Sequence, residues 1–157
     1  MIHDPGDVAA EIVTALRRRL DADRVTLRLD TPGMNFPCAA ESTAPGVRAM
    51  STDNSLDQRG AATAQWIMAT RQVLVQPDLT AMDPAPPRPL MDVYGVRAQM
   101  LAPVVVADAV AGWLSVHSLQ PRPWTEDDAA AIEAAAVEAA RRIDEVRAAP
   151  GYIRWLP

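Results

Sequence analysis

Between Val96 and Ser118 the chain reads VRAQMLAPVVVADAVAGWLSVHS, two apolar runs parted by Ala107-Asp108. Valine-rich runs on either side of a short polar break predict a β-hairpin near the centre of a sheet. Alternate strand residues point to opposite faces, which gives this hairpin two unlike sides. Met100, Ala102, Val104, Leu114 and Val116 make one of them, wholly apolar, and such a face packs against helices without stranding a polar group. Gln99, Leu101, Pro103, Trp113, Ser115 and His117 make the other. An amide, a hydroxyl and an imidazole among apolar neighbours suit the wall of a small-molecule pocket. They equally suit a buried face whose polar groups are bonded to backbone.

The remaining pattern supplies partners for both faces. Val8, Ile12, Val13, Leu16 and Leu20 recur at helical spacing behind Asp4-Pro5, predicting an amphipathic helix whose Arg17, Arg18 and Arg19 sit at the end where cations suit the dipole. Arg24 to Leu29 alternates as a strand, with Val25, Leu27 and Leu29 on one side and Thr26 and Arg28 on the other. With the apolar side toward the helices, Thr26 and Arg28 join His117 on the mixed face. A guanidinium there is shaped to hold a carboxylate, although an Arg at a solvated edge or paired with an Asp would give the same pattern. Phe36 to Ser42 reads as an edge strand because of Pro37. Thr43 to Leu56 has no period and reads as a loop.

A helix is expected from about Asp57 to Thr70, with Trp66 and Met68 able either to pack in the core or to reach the pocket. Val73 to Val75 predicts a short strand, Leu79 to Pro89 a proline-rich loop suited to be a lid, and Pro89 to Tyr94 one helical turn closed by Gly95. Thr125 with Asp128 marks the start of a final helix running to about Ala148, striped by Ile132, Ala136, Ala139, Ile143 and Val146. The domain so defined spans 4–149. The tail 150–157, PGYIRWLP, is apolar enough to be expected to dock on this chain or a partner.

Composition narrows the chemistry. A length of 157 residues suits one domain, and 49% hydrophobic with 22% charged residues is globular composition. All 15 basic residues are Arg, which removes lysine Schiff bases and lysine phosphate loops. A net charge of -5 argues against a nucleic-acid partner. Neither a membrane span nor a signal peptide is legible, so a cytoplasmic location is expected. Cys38 alone, with His3 and His117, makes no zinc-site spacing, and no metal site is expected.

The order of elements resembles the GAF domain family. ATRQVLVQPDLTAMDP resembles that family's helix-to-strand segment, YGVRAQMLAPVVVADAVAGWLSVHS its central hairpin, and QPRPWTEDDAAAIEAAA the entry to its last helix. The resemblance implies an α+β fold: an antiparallel sheet with the N- and C-terminal helices on one face and a ligand pocket on the other. Within the family the hairpin is most similar to the bilin-binding domain of bacterial phytochromes, where the residue matching His117 faces the chromophore. By the same resemblance Gln99, Leu101, Thr26, Arg28 and Met68 approach the ligand. The chromophore-attaching cysteine has no equivalent here, and the acidic proline-rich motif of that pocket is missing. The Asn-Lys-x-x-Phe-Asp-Glu motif of cyclic-nucleotide-binding members is also absent, and the sulfoxide reductases of this fold need several cysteines. Arg71 and Val73 stand where many members have Gly and Pro.

These readings lead to a sensory or regulatory domain, not an enzyme, that binds a small organic molecule without a covalent bond. Its cofactor is unknown. Thr26, Arg28, Gln99, Ser115 and His117 would give polar contacts and Leu101, Met68 and Trp66 apolar ones, suiting a compact carboxylate or a polar aromatic compound. His117 would tune affinity, which should fall between mildly acidic and neutral pH. The alternative is an interaction module with a collapsed pocket, a homodimer through its terminal helices that signals to a separately encoded partner. Cys38 with His117 as nucleophile and base, or His117 as a haem ligand, rests on single residues.

Overall fold

The computed structural model describes residues 5–149, and the tail expected to dock lies outside them. Its elements are α1 (Pro5–Leu20), β1 (Arg24–Leu29), β2 (Cys38–Thr43), α2 (Ala62–Thr70), β3 (Leu74–Gln76), α3 (Arg88–Asp92), β4 (Ala98–Val106), β5 (Ala109–Ser118) and α4 (Glu126–Ala148), with a 3-10 turn at Leu79–Ala81. The strands form one sheet in the order β2-β1-β5-β4-β3. Every neighbouring pair is antiparallel. The hairpin is therefore central, and the proline-flanked β2 lies at an edge, as its sequence requires.

The apolar side of the sheet carries the main core. Val25 and Leu27 of β1 join Met100, Val104, Leu114 and Val116 of the hairpin under Val13 and Leu16 of α1 and Ile132 and Ala136 of α4. The last helix starts where its sequence signals. Thr125 Oγ1 accepts from the Asp128 amide at 3.0 Å, and the Thr125 amide donates to Asp128 Oδ2 at 3.0 Å, which satisfies two amides that a helix start otherwise leaves open. At the hairpin tip Ala107 and Asp108 both adopt positive φ, 51° and 63°, the geometry that lets a two-residue turn match the twist of its strands.

Gly112 of β5 marks a close approach. A Cβ built there would lie 1.9 Å from the Arg28 carbonyl oxygen, so only glycine lets β1 and β5 meet beside Arg28.

Two expectations change on the opposite side. α2 begins at Ala62, not near Asp57, because residues 57–60 form a turn in which Asp57 Oδ1 accepts from the Gly60 amide at 2.9 Å and from Asn35 Nδ2 at 3.1 Å. An Asp bonded back to its own turn competes with helix at that point. The cover over the mixed face draws on the expected lid, Leu79 to Pro89, only through Pro87. It is supplied mainly by the irregular segment 44–61 and by Pro87 and Leu90, while Leu79 packs sideways into a cluster with Met50, Leu56, Leu90, Tyr94 and Val96.

Candidate functional site

The register of the three central strands brings the mixed-face residues together. Thr26 stands opposite Ser115 and Arg28 opposite Trp113, while Gln99 faces His117 and Leu101 faces Ser115. Thr26, Arg28, Gln99, Leu101, Ser115 and His117 all line one cavity, closed from above by Met50, Leu56, Gln58, Thr63, Pro87 and Leu90. It holds about 30 Å³, room for one water molecule. Its wall touches a second chamber of about 160 Å³ lined by Arg28, Leu56, Gln58, Met34, Asn35, Pro37, Asp53 and Asn54. Arg28, Leu56 and Gln58 belong to both, so these three side chains form the partition.

Trp66 and Met68 do not line either chamber. Helical spacing turns Thr63, Ala64 and Ile67 inward and sets residues 66 and 68 on the flanks of α2. Both are half-buried against a cluster of Phe36, Ile67, Leu74 and Trp113 instead. Phe36 and Trp113 stack there with ring centroids 4.6 Å apart.

Arg28 is 4% exposed, and one arm of its guanidinium is engaged: Nη1 donates to the Phe36 carbonyl at 3.0 Å. Nη2 is buried with no hydrogen-bond partner, and among the described residues no carboxylate pairs with Arg28. Burial pushes this guanidinium below its ordinary pKa, with the Cys38 thiol and the carboxylates of Glu41 and Asp53 pulling the other way. A buried donor left open costs about 1–3 kcal/mol or more when charged, and an acceptor arriving from outside would recover it.

Arg24, which the sequence reading did not single out, contacts the site through His117. It is fully buried on the same side of β1 as Thr26 and Arg28, and the period-2 pattern was the signal that could have found it. Its Nη1 lies 3.1 Å from His117 Nδ1, its Nη2 donates to the Arg48 carbonyl, and its Nε stands 3.5 Å from Glu41 Oε2. Glu41 Oε2 in turn accepts from the Met50 amide at 2.8 Å. Arg24 thus ties the cavity wall to the covering segment directly at the Arg48 carbonyl and indirectly through Glu41 of β2 to the Met50 amide. A guanidinium can only donate, so Nδ1 of His117 is the acceptor and the ring proton sits on Nε2.

That arrangement corrects the expected role of His117. Burial first, then Arg24 and Arg28, push its pKa well below 6.5, which favours the neutral ring. It contributes a fixed N–H donor, not a pH-tuned charge. Gln99 is held from behind, its Nε2 donating to Gln76 Oε1 at 2.8 Å while Gln76 Nε2 donates to the Pro84 carbonyl at 2.7 Å.

Cys38 does not share the cavity with His117. Its thiol is pushed up in pKa by burial and lies 3.1 Å from the Ala40 carbonyl. Among the described residues no three His, Cys, Asp or Glu side chains gather as a metal site, and no helix is long and apolar enough to cross a membrane. A wider groove of about 580 Å³ runs along α1 and α4 on the helical side, lined largely by apolar side chains such as Val8, Ile12 and Ile143. Asp30, Thr31, Arg142, Asp144 and Arg147 also line it.

Comparison with known proteins places this geometry in context. Residues 4–143 match the GAF domain family. The fold is similar to the GAF domain of Thermosynechococcus elongatus PixJ in its blue-light-absorbing form, with 21% identity, a TM-score of 0.77, and coverage of 92% of this chain and 87% of that one. It is similar to the phycocyanobilin-bound GAF domain of a cyanobacterial phytochrome, with 17% identity, a TM-score of 0.80, and coverage of 96% and 90%. It also resembles the chromophore-binding domain of the bacteriophytochrome RpBphP3 from R. palustris, with 17% identity, a TM-score of 0.74, and coverage of 89% and 55%. No curated protein matches the chain.

Proposed function

The chain belongs to the GAF domain family, and from that premise we propose that it is a sensory or regulatory domain that binds a small organic acid, non-covalently, on the polar face of its sheet. The observation that carries the reading is the open Nη2 of Arg28, a buried cationic donor with no partner at the junction of two chambers. The neighbouring wall supports it, since the neutral His117 ring and the hydroxyls of Thr26 and Ser115 can donate toward a guest. A bilin fits poorly. The two chambers together fall below the roughly 300–1,000 Å³ of drug-sized sites, and a tetrapyrrole is larger than most drugs.

A second reading, an interaction module with a collapsed pocket that works as a homodimer through α1 and α4, is favoured by the 30 Å³ cavity, nearly filled by the protein's own side chains. Native mass spectrometry separates the two. Protein purified without denaturation should carry a small organic acid that is lost in Arg28→Ala. A dimer with no bound molecule under any ion-source condition, and no change in Arg28→Ala, would support the second reading and remove the first.

A further inference from the structure

The 160 Å³ chamber is lined at once by a cation, Arg28, and an anion, Asp53, that do not form an ion pair. Opposite charges free to approach would normally close on each other; here both are held by other contacts. Arg28 is fixed through Nη1 to the Phe36 carbonyl. Asp53 Oδ1 accepts from the Ser55 amide at 2.9 Å and from Ser55 Oγ at 2.5 Å, and Oδ2 accepts from the Tyr94 hydroxyl. A carboxylate has about four acceptor positions, which leaves Oδ2 one to offer. The chamber is therefore lined by the residue that carries an unpartnered buried donor and by a carboxylate with an acceptor position left, with the apolar side chains of Met34, Pro37 and Leu56 on its walls.

We propose that the chamber between Arg28 and Asp53 is a site for a small zwitterion, an α-amino acid with a short side chain, its carboxylate on Arg28 and its ammonium on Asp53. This rests on the reading of Arg28 as the anchor of a ligand site and names the class of ligand; the chamber shares Arg28, Leu56 and Gln58 with the cavity on the polar face but not its His117, Thr26 or Ser115. Binding of this kind satisfies both buried or half-buried charges together. A plain carboxylate would leave Asp53 facing it and a plain amine would leave Arg28 open, so each should bind more weakly. The chamber's volume admits only a few heavy atoms beside the charged groups, which sets the limit on side-chain length.

The test is titration calorimetry on the whole chain with three probes that differ by one charged group: L-alanine, propionate and ethylamine. L-alanine is expected to bind with a Kd below about 1 mM, and propionate and ethylamine about tenfold or more weaker. Asp53→Asn should weaken alanine about tenfold while leaving propionate unchanged, a split that general loosening of the segment would not produce. Arg28→Gln should abolish binding of both acids, with a thermal melt of each variant showing that it folds. Propionate binding as tightly as alanine, or alanine binding indifferent to Asp53→Asn, overturns the zwitterion assignment and leaves the organic-acid reading standing. Failure of all three probes, with a different molecule found by native mass spectrometry, also overturns it; failure with no bound molecule found takes both readings down.

Discussion

His117 is neutral in the fold and free to protonate in the unfolded chain, and that difference has a consequence for stability. Unfolded, its pKa is near 6.5; folded, burial and the charges of Arg24 and Arg28 keep it well below that value. As pH falls through 6.5 the unfolded chain takes up a proton that the folded ring refuses, so stability present above that pH is lost progressively below it. Urea denaturation should show the midpoint dropping between pH 7 and 5.5, with a slope of at most about 1.4 kcal/mol per pH unit, and His117→Gln should flatten that slope. Asp53, whose pKa of about 2 reflects hydrogen bonds from Ser55 and Tyr94, and the lowered carboxylates of Asp57 and Asp78 titrate below this window and leave it undisturbed. Ligand affinity, in contrast to the expectation from sequence, should stay flat across it. The convergence of Arg28 and His117 was readable because strand alternation assigns faces without any knowledge of contacts. The depressed pKa was not, because it depends first on burial under a cover that has no hydrophobic period, and then on the charges of Arg24, which meets His117 from 93 residues away, and Arg28.

Among the elements, β1 and β5 have the least tolerance for change, because their closest approach lies beside the residue on which the site depends. Adding a methyl at Gly112 places a carbon 1.9 Å from a backbone oxygen of Arg28, which cannot swing aside as a side-chain tip would. Gly112→Ala should therefore destabilise the fold by about 2 kcal/mol or more in chemical denaturation, and should weaken acid binding as the Arg28 backbone shifts. An unchanged midpoint would mean that the strands separate more easily than this register implies. Most elements were legible in the sequence. The hairpin, the edge position of β2, the capping box of α4 and the positive φ of Gly95, 69°, each follow from a local chemical rule. The cover was not legible. Residues 44–61 have no hydrophobic period, and Met50, Leu56 and Gln58 acquire meaning only once a polar sheet face is placed beneath them. Of the proline-rich stretch at 79–89 only Pro87 reaches the cavity; composition signals irregular backbone, not the direction in which it packs.

On the scale of the whole molecule, the two faces of the sheet are held by different means, and this decides whether a guest can enter. The helical side is closed by a continuous apolar core drawn from α1, α4 and four strands. The polar side is closed by segment 44–61, which has few backbone bonds of its own: Val47 to Ala44, Asp53 to Met50 and Ala61 to Gln58, with Ala44 to Asp23 at its root. It is fastened instead by side chains, through Arg24 to the Arg48 carbonyl, Glu41 to the Met50 amide and Tyr94 to Asp53. Segments with sparse backbone bonding open locally at a fraction of the global unfolding free energy. Hydrogen exchange should accordingly find the amides of 47–58 exchanging much faster than those of β4 and β5, with rates insensitive to low concentrations of denaturant. Arg24→Met, which releases both the Arg48 carbonyl and Glu41, should speed that exchange further without a comparable change in the hairpin. If the segment exchanges only with global unfolding, the cover does not lift, the 30 Å³ cavity is the resting and only state of the polar face, and signalling would have to pass through the outer surfaces of the helices.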